Sequence, residues 1–357
     1  MPRPRLDPRT PLTELHVHLG AAVTPAIMWG IAHAQGIRLP TKDYWAFRDL
    51  ITAGRRRRSF DAYLALFHWT ELIQSSPTAV ERSVYEVIGG AYRKNNITRL
   101  ELRFNPMKRN RGGEQDLDHI IAAAVRGMDR AVLEYPQVRA GLIFCLDRGF
   151  SYELNEIIAA KAIAWRSRGV IGIDIAGPVV DGFRFADYAE VFDTCRRAGL
   201  GLTVHAGETG GADEVREALE ALEPDRIGHG VHSADDQFVL GMLRERGTVL
   251  EVCPSSNLNT GVLRNLGDVR RVVRALADGG VRFTVSTDGP EMLRSYLRDE
   301  LNLLMRHEIL SREEVERAIQ TGEQASFLDR APVIASSVTA REGGGNGHAA
   351  IPVEVRS

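Results

Sequence analysis

The stretch Leu12-Thr13-Glu14-Leu15-His16-Val17-His18-Leu19 sets two imidazoles two residues apart at the end of a short β-favouring run. Along a strand, residues i and i+2 point to the same side, so His16 and His18 can address one point in space. By itself an H-x-H is more often two ordinary core or surface histidines. Its meaning depends on which other ligand-type residues the fold brings to the same place.

Seven further runs read as strands: Thr98–Phe104, Ala140–Leu146, Val170–Ile175, Gly201–His205, Arg226–His229, Thr248–Val252 and Arg282–Ser286. Most are apolar and β-branched without clean alternation, as expected for a parallel sheet covered on both faces. Amphipathic segments lie between them, among them Ser76–Arg93, Leu117–Glu134, Asp213–Leu222 and Val269–Ala277. Strands alternating with helices predict an α/β fold, a closed (β/α)8 TIM-type barrel, with an open doubly wound sheet as the alternative. The long interval between the first two strands predicts extra helices, including one over Phe60–Ile73 that could cover the barrel mouth. Ser311–Phe327 reads as a helix with Ser311 as N-cap and Glu314 completing a capping box.

The chain has 357 residues, so residues 11–330 suffice for one barrel domain, after a short extension over 1–10. Residues 331–357 include Gly343-Gly344-Gly345-Asn346-Gly347 and read as a disordered tail. A net charge of −2 leaves no global positive field for nucleic acid or an anionic membrane. Arginine far exceeds lysine but is spread along the chain, and the dense run Arg55 to Arg58 reads as a solvated helix end. Cys145, Cys195 and Cys253 form no C-x-x-C pair, which argues against a disulfide framework or thiolate zinc site. With no signal-like N-terminus and no long apolar run, a soluble cytoplasmic protein is expected.

In a barrel the carboxyl ends of all strands meet on one face. His16 and His18 close the first predicted strand, His205 and Glu208 the fifth, His229 the sixth, and Asp288 the eighth. Three imidazoles (His16, His18, His205) and the Asp288 carboxylate suit one zinc ion, with a position open for water. Glu208 reads as a general acid or base in such a pocket, or as an ordinary carboxylate at a helix N-terminus. Gly228-His229-Gly230 sets an imidazole between small residues, a weak signal alone, and His232 reads as peripheral.

These motifs together resemble the adenosine deaminases of the amidohydrolase superfamily. The resemblance runs from Glu14-Leu15-His16-Val17-His18-Leu19 through Thr203-Val204-His205-Ala206-Gly207-Glu208, Arg226-Ile227-Gly228-His229-Gly230-Val231-His232 and Cys253-Pro254-Ser255-Ser256-Asn257 to Ser286-Thr287-Asp288. It implies a hydrolytic deaminase of adenosine or a similar 6-aminopurine nucleoside, one that releases ammonia when zinc-activated water attacks C6. It implies one Zn2+ per chain on His16, His18, His205 and Asp288. By the same resemblance His229 handles the attacking water, Glu208 protonates purine N1, and Gly177 contacts the purine through its backbone. Tyr63, Leu64 and Phe67 match an apolar lid segment, although helix packing alone would also explain them. The implied partner is a small aminopurine-like molecule, with neither nucleic acid nor membrane involved; the resemblance leaves the oligomeric state open.

Two positions depart from the family pattern. Gly289 follows Asp288 where a second aspartate usually contacts purine N7, and Glu291 is the alternative carboxylate nearby in sequence. Gly20 follows His18-Leu19 where an aspartate usually holds the ribose 5′-hydroxyl. These departures predict a nucleoside altered or extended at 5′, such as aminodeoxyfutalosine, or another aminated heterocycle. Two other readings remain. A binuclear amidohydrolase is disfavoured because the fourth strand ends Ile173-Asp174-Ile175-Ala176-Gly177 without lysine; a non-catalytic nucleoside-binding homologue is disfavoured because every ligand and both proton-transfer residues are present.

Overall fold

Eight parallel strands follow one another around one sheet in sequence order, each pairing with the next, as the alternation of apolar runs and amphipathic segments predicts. The structure is a computed structural model that describes residues 5–53 and 59–330. The strands are β1 (Leu12–His18), β2 (Ile97–Phe104), β3 (Arg139–Asp147), β4 (Val170–Ala176), β5 (Gly201–Ala206), β6 (Arg226–His229), β7 (Val249–Val252) and β8 (Phe283–Val285). All eight expected strands are present with ends displaced by no more than a few residues. The Arg55 to Arg58 run and the tail over residues 331–357 lie outside the described residues.

The barrel closes between β8 and β1. β8 is only three residues long, and its link to β1 is a single bridge between Val17 and Asp288. Two backbone hydrogen bonds make that link: Asp288 N–H donates to the His16 carbonyl at 2.8 Å, and His18 N–H donates to the Asp288 carbonyl at 2.9 Å.

Opposite the mouth, Phe327 plugs the floor. A Cβ built on Gly201 would lie 2.2 Å from its ring, and the Arg226 guanidinium sits 3.5 Å above the ring centroid. Only glycine lets the aromatic ring approach that backbone so closely.

Among the described residues, the interval between β1 and β2 carries six helices: Leu19–Ala22, Pro25–Ala34, Tyr44–Ile51, Phe60–Leu64, Phe67–Ile73 and Pro77–Asn95. The expected single helix over Phe60–Ile73 is therefore two. Between them Leu66 N–H bonds the Tyr63 carbonyl and His68 N–H bonds the Ala65 carbonyl, a tighter i→i+3 turn that breaks the helical axis. The two halves cap a small separate core of Ala21, Ala53, Tyr63, Leu66, Met292 and Leu293, with Phe60, Leu64 and Phe67 packed against it. The Ser311–Glu314 capping box forms as expected and opens the helix Arg312–Ala325. Among the described residues, no helix is long and apolar enough to cross a membrane.

Candidate active site

The strand ends carry the predicted residues to one point. The His16 and His18 ring centroids are 5.3 Å apart, with His205 4.6 Å from the first and 5.1 Å from the second. His229, ending β6, stands 4.9 Å from His16 and 5.3 Å from His205. Asp288 enters just past β8. It and His229 adopt left-handed backbone, φ 63° and 62°, which turns both side chains off their strands. Such conformations are costly for non-glycine residues, and they cluster where function demands them.

The donor atoms face one another. His18 Nε2 lies 3.2 Å from His205 Nε2 and 3.5 Å from Asp288 Oδ1, which is 3.8 Å from His16 Nε2. His16 Nε2 is fully buried with no protein hydrogen-bond partner. A buried imidazole nitrogen aimed at two others and a carboxylate is what a divalent cation would satisfy, so this donor set fits the metal the family pattern implies. Burial holds His16 and His18 well below the usual imidazole range, and the charges of Arg103 and His205 add to that effect. Neutral rings with free lone pairs are the ligating form.

Behind these histidines lies a charged layer. Glu251 Oε2 accepts from His16 Nδ1 at 2.8 Å, and Asp174 accepts from His205 Nδ1 at 3.0 Å, so each ring presents Nε2 forward. Arg103 joins the two acids, donating to Asp174 at 2.9 Å, to Glu251 at 2.8 Å and to the Leu15 carbonyl at 2.6 Å. Burial opposes ionisation of Asp174, but the His205 and Arg103 charges outweigh it and hold the carboxyl below its ordinary range. Arg226 continues the layer from Glu251 to Glu101. On the other flank, Ser256 and Tyr63 hydroxyls donate to Asp288 Oδ2 at 2.6 and 3.2 Å, while Asn257 Nδ2 meets His229 Nδ1 at 3.1 Å. A signal was available: Asp174 and Glu251 are charged residues inside otherwise apolar strands, and buried charges need partners.

Glu208 leaves β5 three residues after His205 and ends with Oε2 3.6 Å from His229 Nε2. Its Oε1 is buried without a protein partner. Burial pushes its carboxyl well above the ordinary carboxylate range, and the Asp288 charge pushes the same way. A buried carboxyl with a raised pKa keeps its proton to higher pH than an exposed one.

The cavity in front of these groups holds about 400 Å³ and also reaches Tyr63, Leu64, Phe67 and Gly177. Tyr63 is thus more than an apolar lid residue, because its hydroxyl fixes Asp288. Gly177 has φ 101°, and a Cβ there would lie 3.2 Å from the Asp147 carboxylate. Glu291 does not stand in for the absent second aspartate: it pairs with Lys94, and Tyr296 donates to it, away from this cavity. His232 pairs with Asp235 at 3.0 Å, off to the side. At Gly289 an added Cβ would come 2.8 Å from Ala21 Cβ and 3.1 Å from the Tyr63 hydroxyl, so Tyr63 occupies the space a side chain there would need.

A sequence model described as adenosine deaminase matches residues 11–337. The chain belongs to the adenosine deaminase family. As a member of the adenosine deaminase family it is a hydrolytic deaminase acting on C–N bonds. Among its relatives, an adenosine deaminase from Shewanella woodyi is 29% identical over 321 residues, covering 89% of this chain and 94% of that one. Among solved structures, adenine deaminase from Arthrobacter aurescens superposes with a TM-score of 0.79 at 21% identity, over 89% of this chain and 94% of that one. The Arabidopsis N6-mAMP deaminase superposes with a TM-score of 0.77 at 22% identity, over 90% of this chain and 94% of that one. At these identities the two structures speak for the shared barrel.

Proposed function

We propose that the protein is a zinc-dependent hydrolytic deaminase of an aminopurine nucleoside, with one zinc ion held by His16, His18, His205 and Asp288. The observation that carries this reading is the meeting of three histidine Nε2 atoms and a carboxylate beside Glu208, whose buried Oε1 has no protein partner. Zinc bound there would supply a Lewis acid that lowers the pKa of water toward neutrality. The donor set is mononuclear: β4 contributes Asp174 behind His205 and no lysine, which disfavours a binuclear amidohydrolase.

The residues around the ligands then divide the proton traffic. Glu208 donates its proton to purine N1, which draws electron density from C6. His229, kept neutral by burial and by the neighbouring His205, takes the proton lost by the attacking water. The C6–O bond forms, His229 passes its proton to the amino group, the C6–N bond breaks to release ammonia, and the hydroxyl proton lost as the 6-oxo group forms returns to Glu208. Net, water and the aminopurine give the 6-oxo purine and ammonia. Gly177, free of a Cβ, lets the purine edge approach the backbone, while Tyr63, Leu64 and Phe67 exclude water from above.

The relatives and neighbours named above act on adenosine, adenine and N6-mAMP, which supports a 6-aminopurine but not one substrate. Gly20, in the place of the aspartate that the family pattern sets on the ribose 5′-hydroxyl, favours a nucleoside altered at 5′, of which aminodeoxyfutalosine is one example, over adenosine itself. An ammonia-release screen of the zinc-loaded protein over adenine, adenosine and 5′-modified adenosines tests this reading. Release that vanishes in Glu208→Ala supports it. No release from any aminopurine would instead favour a non-catalytic binding protein.

A further inference from the structure

We infer that the substrate carries an anionic group, a carboxylate or a phosphate, and that Arg109 receives it where the cavity meets Gly20, Phe67 and Glu71. This rests on the aminopurine deaminase reading and adds the chemical class of the substituent.

Arg109 sits in the turn Met107–Arg109 just beyond β2, and its side chain lines the same cavity as His18, Glu208 and Asp288. The side chain is 3% exposed. Its Nε and Nη1 have no protein partner, and Nη2 reaches no closer than 4.0 Å to Glu71 Oε1. The other buried arginines on this cavity are different. Arg103 is spent on Asp174, Glu251 and the Leu15 carbonyl, and Arg148 on Glu214 and the His205 carbonyl. Those two are bonded to the protein, whereas Arg109 reaches only Glu71, at 4.0 Å.

Nor do its neighbours neutralise it. Glu71 also faces Arg111 at 3.6 Å, and Asp147 is paired with Lys108. Three cations therefore share two carboxylates along this wall, and the most buried of the three has the poorest contact. A guanidinium cannot shed its proton, so burial without an anion is unfavourable and the site is poised to take one. Its planar fork matches the two oxygens of a carboxylate or phosphate.

Gly20 belongs to the same arrangement. A Cβ at Gly20 would lie 2.9 Å from Phe67 Cδ1 and 3.1 Å from Arg109 Nη2. Glycine thus leaves the guanidinium both its room and its uncompensated charge; an aspartate in that place would pair with it.

The test compares ammonia release from adenosine and 5′-methylthioadenosine, which are neutral at 5′, with adenosine 5′-carboxylic acid and adenosine 5′-monophosphate. The zinc-loaded wild type should favour at least one anionic substrate over the neutral pair by roughly 10- to 100-fold in kcat/KM, the range of a charge-assisted hydrogen bond. Which anion is favoured separates carboxylate from phosphate. Arg109→Gln should collapse that ratio, Arg109→Lys should retain part of it, and Gly20→Asp should invert it by supplying an internal partner. A general folding defect would lower all rates together and leave the ratio in place. Equal or better turnover of the neutral substrates by wild type, or an unchanged ratio in Arg109→Gln, overturns the inference. If no aminopurine is deaminated, the enzymatic reading fails separately. Calorimetric binding of inosine 5′-monophosphate, inosine 5′-carboxylic acid and inosine then decides the anion: tighter binding of either anion, lost in Arg109→Gln, upholds it, and equal binding rejects it.

Discussion

Asp288 and His18 are joined twice: the His18 amide donates to the Asp288 carbonyl at 2.9 Å, and His18 Nε2 lies 3.5 Å from Asp288 Oδ1. The backbone bond ties the end of β8 to the end of β1, and the side chains belong to the proposed metal site. Closing the barrel and assembling the ligands are therefore one structural event.

Metal binding should accordingly stabilise the fold. A ligand that binds only the native state adds about 4 kcal/mol when present at roughly a thousand times its Kd. Zinc removal with a chelator should lower Tm by several degrees and abolish ammonia release, and zinc should restore both. A Tm indifferent to chelation, measured by calorimetry, would contradict the proposed site.

Asp174 holds His205 by its Nδ1 at 3.0 Å and shares Arg103 with Glu251. Asp174→Asn should weaken zinc affinity about 10- to 100-fold, the usual cost of losing a carboxylate behind a ligating histidine. Competition with a chromophoric chelator measures it. Unchanged affinity in a folded variant would remove Asp174 from the supporting layer.

Glu208 should lose its role as pH rises. Burial, with the Asp288 charge adding to it, raises its pKa, so the neutral donor persists at higher pH than for an ordinary glutamate. Activity that needs the protonated form is present below that raised pKa and declines above it. The kcat/KM profile of the zinc-loaded enzyme should therefore fall on its alkaline side. Glu208→Gln should cost about 10²–10⁴-fold in kcat and leave the residual activity without that limb.

Gly289 should resist replacement by the second aspartate of the family pattern. A Cβ there meets Ala21 at 2.8 Å and the Tyr63 hydroxyl at 3.1 Å, and overpacking of this kind typically costs about 1–3 kcal/mol. Gly289→Asp should lower stability in urea by that order without producing an efficient adenosine deaminase. High adenosine turnover in a variant as stable as wild type would show that Tyr63 yields easily.

Much of this protein could be read from local pattern. Apolar β-branched runs separated by amphipathic segments carry their own periodicity, and so the eight strands and the barrel were legible. His16-x-His18, His205-x-x-Glu208, His229 and Asp288 were legible because polar residues at strand ends stand out against apolar runs. The break within Phe60–Ile73 was not, because an i→i+3 turn between Tyr63 and Leu66 leaves the apolar spacing almost unaltered. Nor was Tyr63's bond to Asp288, which spans 225 positions.

Sequence alone determined the barrel, the order of its strands and the residue types at their carboxyl ends, since these depend on spacing and side-chain chemistry within a few residues. Tertiary structure decided which nitrogen each histidine presents, because Glu251 and Asp174 hold His16 and His205 from other strands. It also decided that Arg103 is matched by acids while Arg109 is left without a hydrogen-bond partner for its side chain. Hydrogen bonding and charge compensation in a buried site depend on distances between residues far apart in the chain, and only the folded barrel sets those distances.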